Sequence, residues 1–280
     1  MDRKATARET LAIMDRGYYE VNGTRVDIRE QQEDSVKRSF LLTPEQGEQI
    51  LKKWETGSKT EKKAAVLTTL NCSAVDAILR LTSEGKSAAV LNFASAKNPG
   101  GGFINGAMAQ EESLAASGCL YKTQLAHKEY YEKNRAFRSM MYTDHAIWSP
   151  DVVFFRDGRF RLMEKPVTAS VLTLPAVNMG QVLLKGEDEA EAEKVMRRRM
   201  GLSLAVFAEQ GCGHLVLGAY GCGVFRNDPE KIAGWWKELL EGDFAGVFQT
   251  VVFAVLDRSA AGACIGAFQK YFRSSMIEIR

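Results

Sequence analysis

Between residues 88 and 256 the hydrophobic positions gather into short unbroken runs set apart by longer mixed stretches. Ala88–Phe93, Val167–Leu174, Leu215–Gly218 and Val251–Leu256 are apolar and rich in Val, Leu and Ala. Runs of about 4–8 residues without alternation predict strands buried on both faces. Between them the pattern predicts helices, of which Glu187–Glu209 is the longest. Its acids Glu187, Asp188 and Glu189 come first and Arg197, Arg198 and Arg199 follow, an order that suits the helix dipole and sets Glu193 one turn from Arg197. The arginine run predicts a solvated helix face in preference to a phosphate site. Asp228-Pro229-Glu230 predicts a helix start, with Asp228 as cap and Pro229 in the first turn.

Residues 1–85 predict an N-terminal helical extension packed on a core of residues 86–280. Thr43-Pro44-Glu45-Gln46 carries three agreeing start signals: a capping hydroxyl, a proline at the first position and a glutamine three after the cap. Ser73 with Asp76 offers a weaker version before Ala74–Leu81. Strand–helix alternation over the rest predicts an α/β sandwich with helices on both faces of a mixed sheet. In such folds ligands bind in the loops beyond the carboxyl ends of the strands.

Composition narrows the class. The 280 residues are 45% hydrophobic and 26% charged, which suits a folded enzyme and excludes a disordered or collagen-like chain. A net charge of +2 gives no broad field for nucleic acid or anionic membrane, so an anionic ligand needs a local site. Five scattered cysteines after a charged first stretch predict reduced thiols and a cytoplasmic protein. No run approaches the roughly 20 apolar residues that span a bilayer. Among three histidines only Cys212-Gly213-His214 brings ligand types together, and it lacks the paired spacing of a zinc site, so no metal or cofactor is expected.

Two glycine loops hold the candidate chemistry. The first, Ala94-Ser95-Ala96-Lys97-Asn98-Pro99-Gly100-Gly101-Gly102-Phe103, leaves a buried strand and leads into a helix. Three successive glycines let main chain approach a ligand and present N–H groups to phosphate or sugar. No Gly-Lys-Ser/Thr and no G-x-G-x-x-G accompany it, so it is neither a P-loop nor a dinucleotide fingerprint. The second, Ala219-Tyr220-Gly221-Cys222-Gly223-Val224-Phe225-Arg226-Asn227-Asp228, also lies between a strand and a helix start, where free N–H groups favour a pyrophosphate. Phe225 fits either against a sugar ring or in the core. Cys222 has no histidine nearby in sequence to activate it and reads as a small packing residue.

Between the loops, Gln110-Glu111-Glu112-Ser113-Leu114 opens a helix. Acids suit a first helical turn in any case, but this pair follows directly on the triple glycine. Neighbouring helical residues point about 100° apart. Two such carboxylates cannot flank opposite faces of one sugar as in ordinary glycosidases. Only one can face the bond, acting first as acid and then as base.

The run Asn92–Phe103, with its triple glycine, followed by Ala109-Gln110-Glu111-Glu112-Ser113-Leu114, resembles the signature of microbial-type poly(ADP-ribose) glycohydrolases. Leu174-Pro175-Ala176-Val177-Asn178 resembles that family's mid-domain strand and loop, and Gly218–Pro229 its second phosphate loop. The resemblance spans about residues 88–260. It implies a macrodomain-like three-layer α/β/α sandwich that binds ADP-ribose without a metal and hydrolyses the ribose–ribose bond of poly(ADP-ribose). It places the catalytic acid at Glu112, with Glu111 on ribose hydroxyls. Gly100, Gly101 and Gly102 would line the distal ribose and the diphosphate, with Gln110 and Asn98 as further contacts. Gly221, Cys222, Gly223 and Val224 would form the diphosphate loop, with Phe225 on the ribose. Poly(ADP-ribose) or ADP-ribosylated protein is the implied substrate and ADP-ribose the product, with no membrane and no general nucleic-acid partner. Ser95 stands where the animal enzymes have asparagine, and Arg226 where glycine is common.

Three other readings share part of this pattern. A non-catalytic ADP-ribose-binding module needs no acid, and the Glu111-Glu112 pair weighs against it. A mono-ADP-ribosyl hydrolase acting on modified protein or nucleic acid would use a similar pocket. An NAD-dependent oxidoreductase fits the alternation, but its fingerprint is missing.

Overall fold

The computed structural model describes residues 2–55 and 63–272. The chain opens with α1 (Arg3–Arg16), a hairpin of β1 (Tyr18–Val21) and β2 (Thr24–Asp27), α2 (Arg29–Arg38), β3 (Phe40–Leu42), α3 (Pro44–Glu55), β4 (Val66–Leu70) and α4 (Ala74–Ser83). Then come β5 (Ala88–Phe93), a short 3-10 turn (Phe103–Asn105), α5 (Gln110–Ser117), α6 (Leu120–Ala126), α7 (Lys128–Ala136), β6 (Ala146–Arg156) and β7 (Leu162–Leu174). The last part is α8 (Met179–Leu184), α9 (Glu189–Glu209), β8 (His214–Leu217), α10 (Pro229–Glu241), β9 (Thr250–Ala254) and α11 (Ala263–Tyr271). Seven strands form one mixed sheet among the described residues, in the order β3-β6-β7-β5-β8-β9-β4. From β7 to β4 the neighbours are parallel, whereas β6 and β3 run antiparallel.

The apolar runs are continuous because the sheet is covered twice. Along β5, Ala89 and Leu91 pack into one core with Met196, Met200 and Leu204 of α9 and Trp236 of α10. Ala88 and Val90 pack into the other with Val75, Ile78 and Leu81 of α4 and Leu114 of α5. On β9, Val251 and Phe253 divide from Val252 and Ala254 in the same way. Every second side chain therefore serves a different layer, and a polar residue such as Asn92 is admitted only with a buried partner. Each large apolar side chain so buried contributes about 1.5–3 kcal/mol.

The foreseen strands appear as β5, within β7, and as β8 and β9, and the foreseen caps hold. Thr43 and Gln46 exchange hydrogen bonds at the start of α3, Ser73 and Asp76 form a capping box on α4, and Asp228 accepts the Glu230 N–H on α10. Residues 1–85 hold the expected helices but also the strands at both edges of the sheet, β3 and β4. β3 is only three residues long and pairs through β6, a partner more than a hundred residues away. β6 itself contains Pro150 and slips register between Ser149 and Val152, with Asp151 at φ 47°, so its sequence does not read as a strand.

The arginine run of α9 departs from the solvated face predicted for it. Arg199 is 1% exposed, bound through Nε to Asp144 at 2.7 Å and through Nη1 and Nη2 to the carbonyls of Met141, Pro175 and Tyr142. Arg198 pairs with Asp144 and with Glu48 of α3. Burial lifts the Asp144 carboxyl, but the two guanidiniums outweigh it and hold it below the usual carboxylate range. Glu193 and Arg197 each pair with α10 instead, on Lys231 and Glu238. Arg199→Ala leaves the buried Asp144 to Arg198 alone and strands three carbonyls. It should lower unfolding free energy by about 3–5 kcal/mol, read as a lower urea midpoint. A loss within about 1 kcal/mol would be that of a surface pair and would contradict the clamp.

Candidate active site

β5 and β8 are parallel neighbours, so the loops that leave them emerge at the same end of the sheet. Their ladder covers Ala88 to Val90 on β5, and β5 continues alone on that side to Phe93. Gln110 occupies the place of the missing strand. Its amide oxygen accepts the Phe93 N–H at 2.9 Å and its amide nitrogen donates to the Leu91 carbonyl at 2.7 Å. Gln110, foreseen as a ligand contact, thus has both ends of its amide committed to β5, and it fixes the start of α5 against the strand.

One residue on, Glu111 is 2% exposed. Its Oε1 accepts from Asn92 Nδ2 at 3.1 Å and Gln124 Nε2 at 2.8 Å, and its Oε2 from the Ser95 N–H at 2.7 Å. Burial pushes this carboxyl up from 4.5 to about 8. The three donors pull it back down in part, and the neighbouring Glu112 charge adds a further push upward. Burial is the largest of these, so Glu111 keeps its proton at neutral pH. Asn92 Oδ1 and Gln124 Oε1 are buried acceptors with no partner of their own beside it.

Glu112 lies half-buried on the next helical position. Its Oε1 accepts the Gly102 N–H at 2.9 Å, and its Oε2 reaches back to the Ala109 N–H at 3.0 Å. A β-carbon on Gly101 would fall 2.3 Å from Glu112 Oε1 and 3.1 Å from Glu111 Oε2. Both carboxylates therefore close on the backbone of Gly101, whose φ of 58° also favours glycine. This need arises from the glutamates, before any ligand is considered. Gly100 and Gly102 flank it, and Asn98 is exposed, its carbonyl accepting the Gly101 N–H at 3.0 Å.

The second loop is built on Tyr220, whose ring meets Phe93 at 5.3 Å and whose hydroxyl donates to the Leu174 carbonyl. Gly221 has φ 74°, and a β-carbon there would strike Asn227 Nδ2 at 2.5 Å. Asn227 donates to the carbonyls of Val177 and Gly221, tying this loop to the one after β7. Cys222 is half-buried, Gly223 faces open space, and Val224 is 83% exposed at the tip. Phe225 packs toward Tyr142, ring centres 6.0 Å apart and planes tilted by 44°. Arg226 is exposed. Among the described residues no three His, Cys, Asp or Glu side chains gather as a metal site.

Residues 7–157 match the family model described as microbial-type PARG, catalytic domain. The chain belongs to the microbial-type poly(ADP-ribose) glycohydrolase family. The poly(ADP-ribose) glycohydrolase of Thermomonospora curvata is 38% identical, with a TM-score of 0.92 over 96% of this chain and 99% of that one. The same enzyme bound to the inhibitor ADP-HPD superposes with a TM-score of 0.89. The glycohydrolase of Deinococcus radiodurans in complex with ADP-ribose is also 38% identical, with a TM-score of 0.80 over 90% of this chain and 98% of that one. No curated protein sequence matches.

Within this glycohydrolase fold the structure brings together most residues singled out from sequence: the triple glycine, Gln110, Glu111 and Glu112 on one loop and helix start, and 221–225 on the neighbouring loop. It adds Asn92, Ser95 and Gln124 around Glu111, and Asn227, Tyr142 and Arg199 behind the second loop. Asn92 carried a signal, as a buried amide inside an apolar strand has to face a polar partner. Arg199 and Tyr142 carried none, since their partners lie far along the chain.

The raised Glu111 carboxyl sets a pH dependence. Below about 4.5 the folded and unfolded chains both hold this proton. Between about 4.5 and about 8 the unfolded chain releases it while the folded chain keeps it, so stability falls as pH rises. Measured by urea unfolding at several pH values, wild type should lose stability relative to Glu111→Gln across that window and level off above it. Parallel curves would contradict the buried proton.

Proposed function

We propose that this chain releases ADP-ribose from poly(ADP-ribose) with Glu112 as its single acid and base. The bond cut joins the anomeric carbon of one ribose to the 2′-oxygen of the next unit. Glu112 gives its proton to the departing 2′-oxygen while positive charge develops at the anomeric carbon. The diphosphate, held by main-chain N–H groups of the 221–224 loop, lies near that charge and steadies it. Water then adds to the anomeric carbon, Glu112 takes its proton back, and ADP-ribose is free. Glu111, protonated beneath, holds Ser95, Asn92 and the first loop in place and presents no second charge to the sugar. Phe225 supports the ribose, and Gly100–Gly102 with Asn98 border it.

The observation that carries this reading is the convergence of a half-buried Glu112 and a buried Glu111 on Gly101, beside a second loop whose Gly223 faces open space. A binding module has no use for an acid so placed. The thiols fit a reducing, cytoplasmic setting, and no helix among the described residues is long and apolar enough to cross a membrane.

Purified poly(ADP-ribose), incubated with wild type and with Glu112→Gln and resolved by chromatography, tests the assignment. Wild type should release ADP-ribose, and the variant should bind ADP-ribose yet turn over about 100-fold more slowly or less. Near-normal turnover in the variant would remove Glu112 from the role. Release only from mono-ADP-ribosylated protein would move the substrate to the mono class.

A further inference from the structure

A polymer cut at Glu112 extends to both sides of that carboxylate. In the mechanism proposed above, the unit to be released runs from Glu112 toward the 221–224 loop. The unit on the leaving side must run the other way, over residues 102–109 and the first turns of α1. This segment already holds Glu112, whose Oε1 and Oε2 accept the N–H groups of Gly102 and Ala109. Gly102 closes on Ala107, since a β-carbon on it would fall 2.8 Å from the Ala107 side chain. Gly106 in turn lies against α1, where a β-carbon would meet Lys4 Cγ at 3.2 Å and Arg3 Cβ at 3.5 Å.

α1 is tied firmly to the helix that carries Glu112. The buried Thr10 hydroxyl donates to the Ala116 carbonyl of α5 at 2.7 Å. Arg156, 3% exposed, binds Glu9, Thr10 Oγ1 and the Phe160 carbonyl in the turn between β6 and β7. These ties also settle the acids nearby. Glu9 is paired with Arg156 at 2.7 Å, and Asp157 with Arg161. Asp2 caps α1 by accepting the Lys4 and Ala5 N–H groups, so the helix end itself is not open to an anion. Arg3, Lys4 and Arg8 are exposed and enter no ion pair among the described residues. Lys4 and Arg8 stand one turn apart on one face. Arg3 lines a shallow cleft with Phe103, Met108 and Phe160, and Ile104 and Met108 are exposed apolar side chains beside it. Set against Asp2, the three cations leave a surplus of two positive charges, the match of one diphosphate.

We propose that α1 and residues 103–108 form a subsite for the unit of poly(ADP-ribose) on the leaving side of the cut bond. Arg3, Lys4 and Arg8 hold its diphosphate, and Ile104 and Met108 lie under its base. The subsite rests on the glycohydrolase reading of Glu112 and extends it from the released unit to its neighbour. A protein side chain that carries a single ADP-ribose offers no second diphosphate, so the subsite favours polymer over that substrate. Exposed ion contacts are individually weak and screened by salt, and three acting on one ligand make a measurable preference.

Calorimetry on Glu112→Gln, with ADP-ribose and with a two-unit fragment of poly(ADP-ribose), tests the subsite. It is repeated with Arg3→Glu, Lys4→Glu and Arg8→Glu added together. In the starting chain the fragment should bind about tenfold more tightly than ADP-ribose at low salt, a margin that shrinks at high salt. The charge reversal should abolish the margin and leave ADP-ribose affinity as it was. A fragment that binds no better than ADP-ribose, or a margin that survives the reversal, overturns the subsite. So does an equal loss for both ligands, which reports a disturbed pocket. Cutting of the fragment during the measurement overturns the Glu112 reading instead. The subsite is then decided by turnover of polymer, where the reversal in the wild-type background should raise KM about tenfold with kcat unchanged, and an unchanged KM overturns it.

Discussion

The Glu111 carboxylate lies beneath β5 with a donor from the strand, a donor from the loop that follows it and a donor from α6. Three segments far apart in their local conformations are thereby fixed to one buried group. Burying a carboxyl is costly unless it is neutral or well bonded, and here both conditions are met, with the proton retained up to about pH 8. Because Glu111 is committed inward, the next residue on the helix is committed outward. Glu112 is left half-buried, leaning on Gly101 with its two oxygens held by the Gly102 and Ala109 N–H groups. The glycine at that point, the register of α5 and the aim of Glu112 are three consequences of one burial.

The second loop depends on a separate set of ties. Asn227 joins it to the loop after β7, and Arg199 gathers the carbonyls of Met141, Tyr142 and Pro175 behind them. Tyr142, held at φ 59°, then stands against Phe225. A non-glycine residue in that conformation persists only where its surroundings fix it. The charged clamp on Asp144 supplies such a fixing, so a salt bridge from α9 holds Tyr142 against Phe225. The sheet contributes the remaining constraint: parallel neighbours place both loops at one end, as open α/β sheets do.

What the sequence shows of this follows a physical rule. β5, β8, α3 and α10 were legible because their signals are local: an apolar run, a proline at a helix start, a capping side chain three residues from its partner. β3 and β4 were hidden because an edge strand of three or five residues draws its stability from a distant partner, and β6 because Pro150 and its register slip break the pattern. At the site, the triple glycine and the glutamate pair stood out, yet the division of labour between the two glutamates came from the resemblance and from helix geometry. Gln110 looked like part of the ligand surface because a side-chain amide standing in for a strand leaves no mark on its neighbours in sequence. The Arg197–Arg199 run misled for the same reason, its partner Asp144 being more than fifty residues away.

In the mechanism proposed above one carboxylate serves both halves of the reaction from one face of the sugar, since Glu111 is enclosed and cannot offer a second. The configuration of the product at its anomeric carbon reports on this directly. Proton NMR of ADP-ribose released from poly(ADP-ribose), recorded before mutarotation, should show the configuration of the original linkage, as water enters on the side from which the 2′-oxygen left. The opposite anomer as the first product would require a base on the far face, and a single Glu112 would no longer suffice.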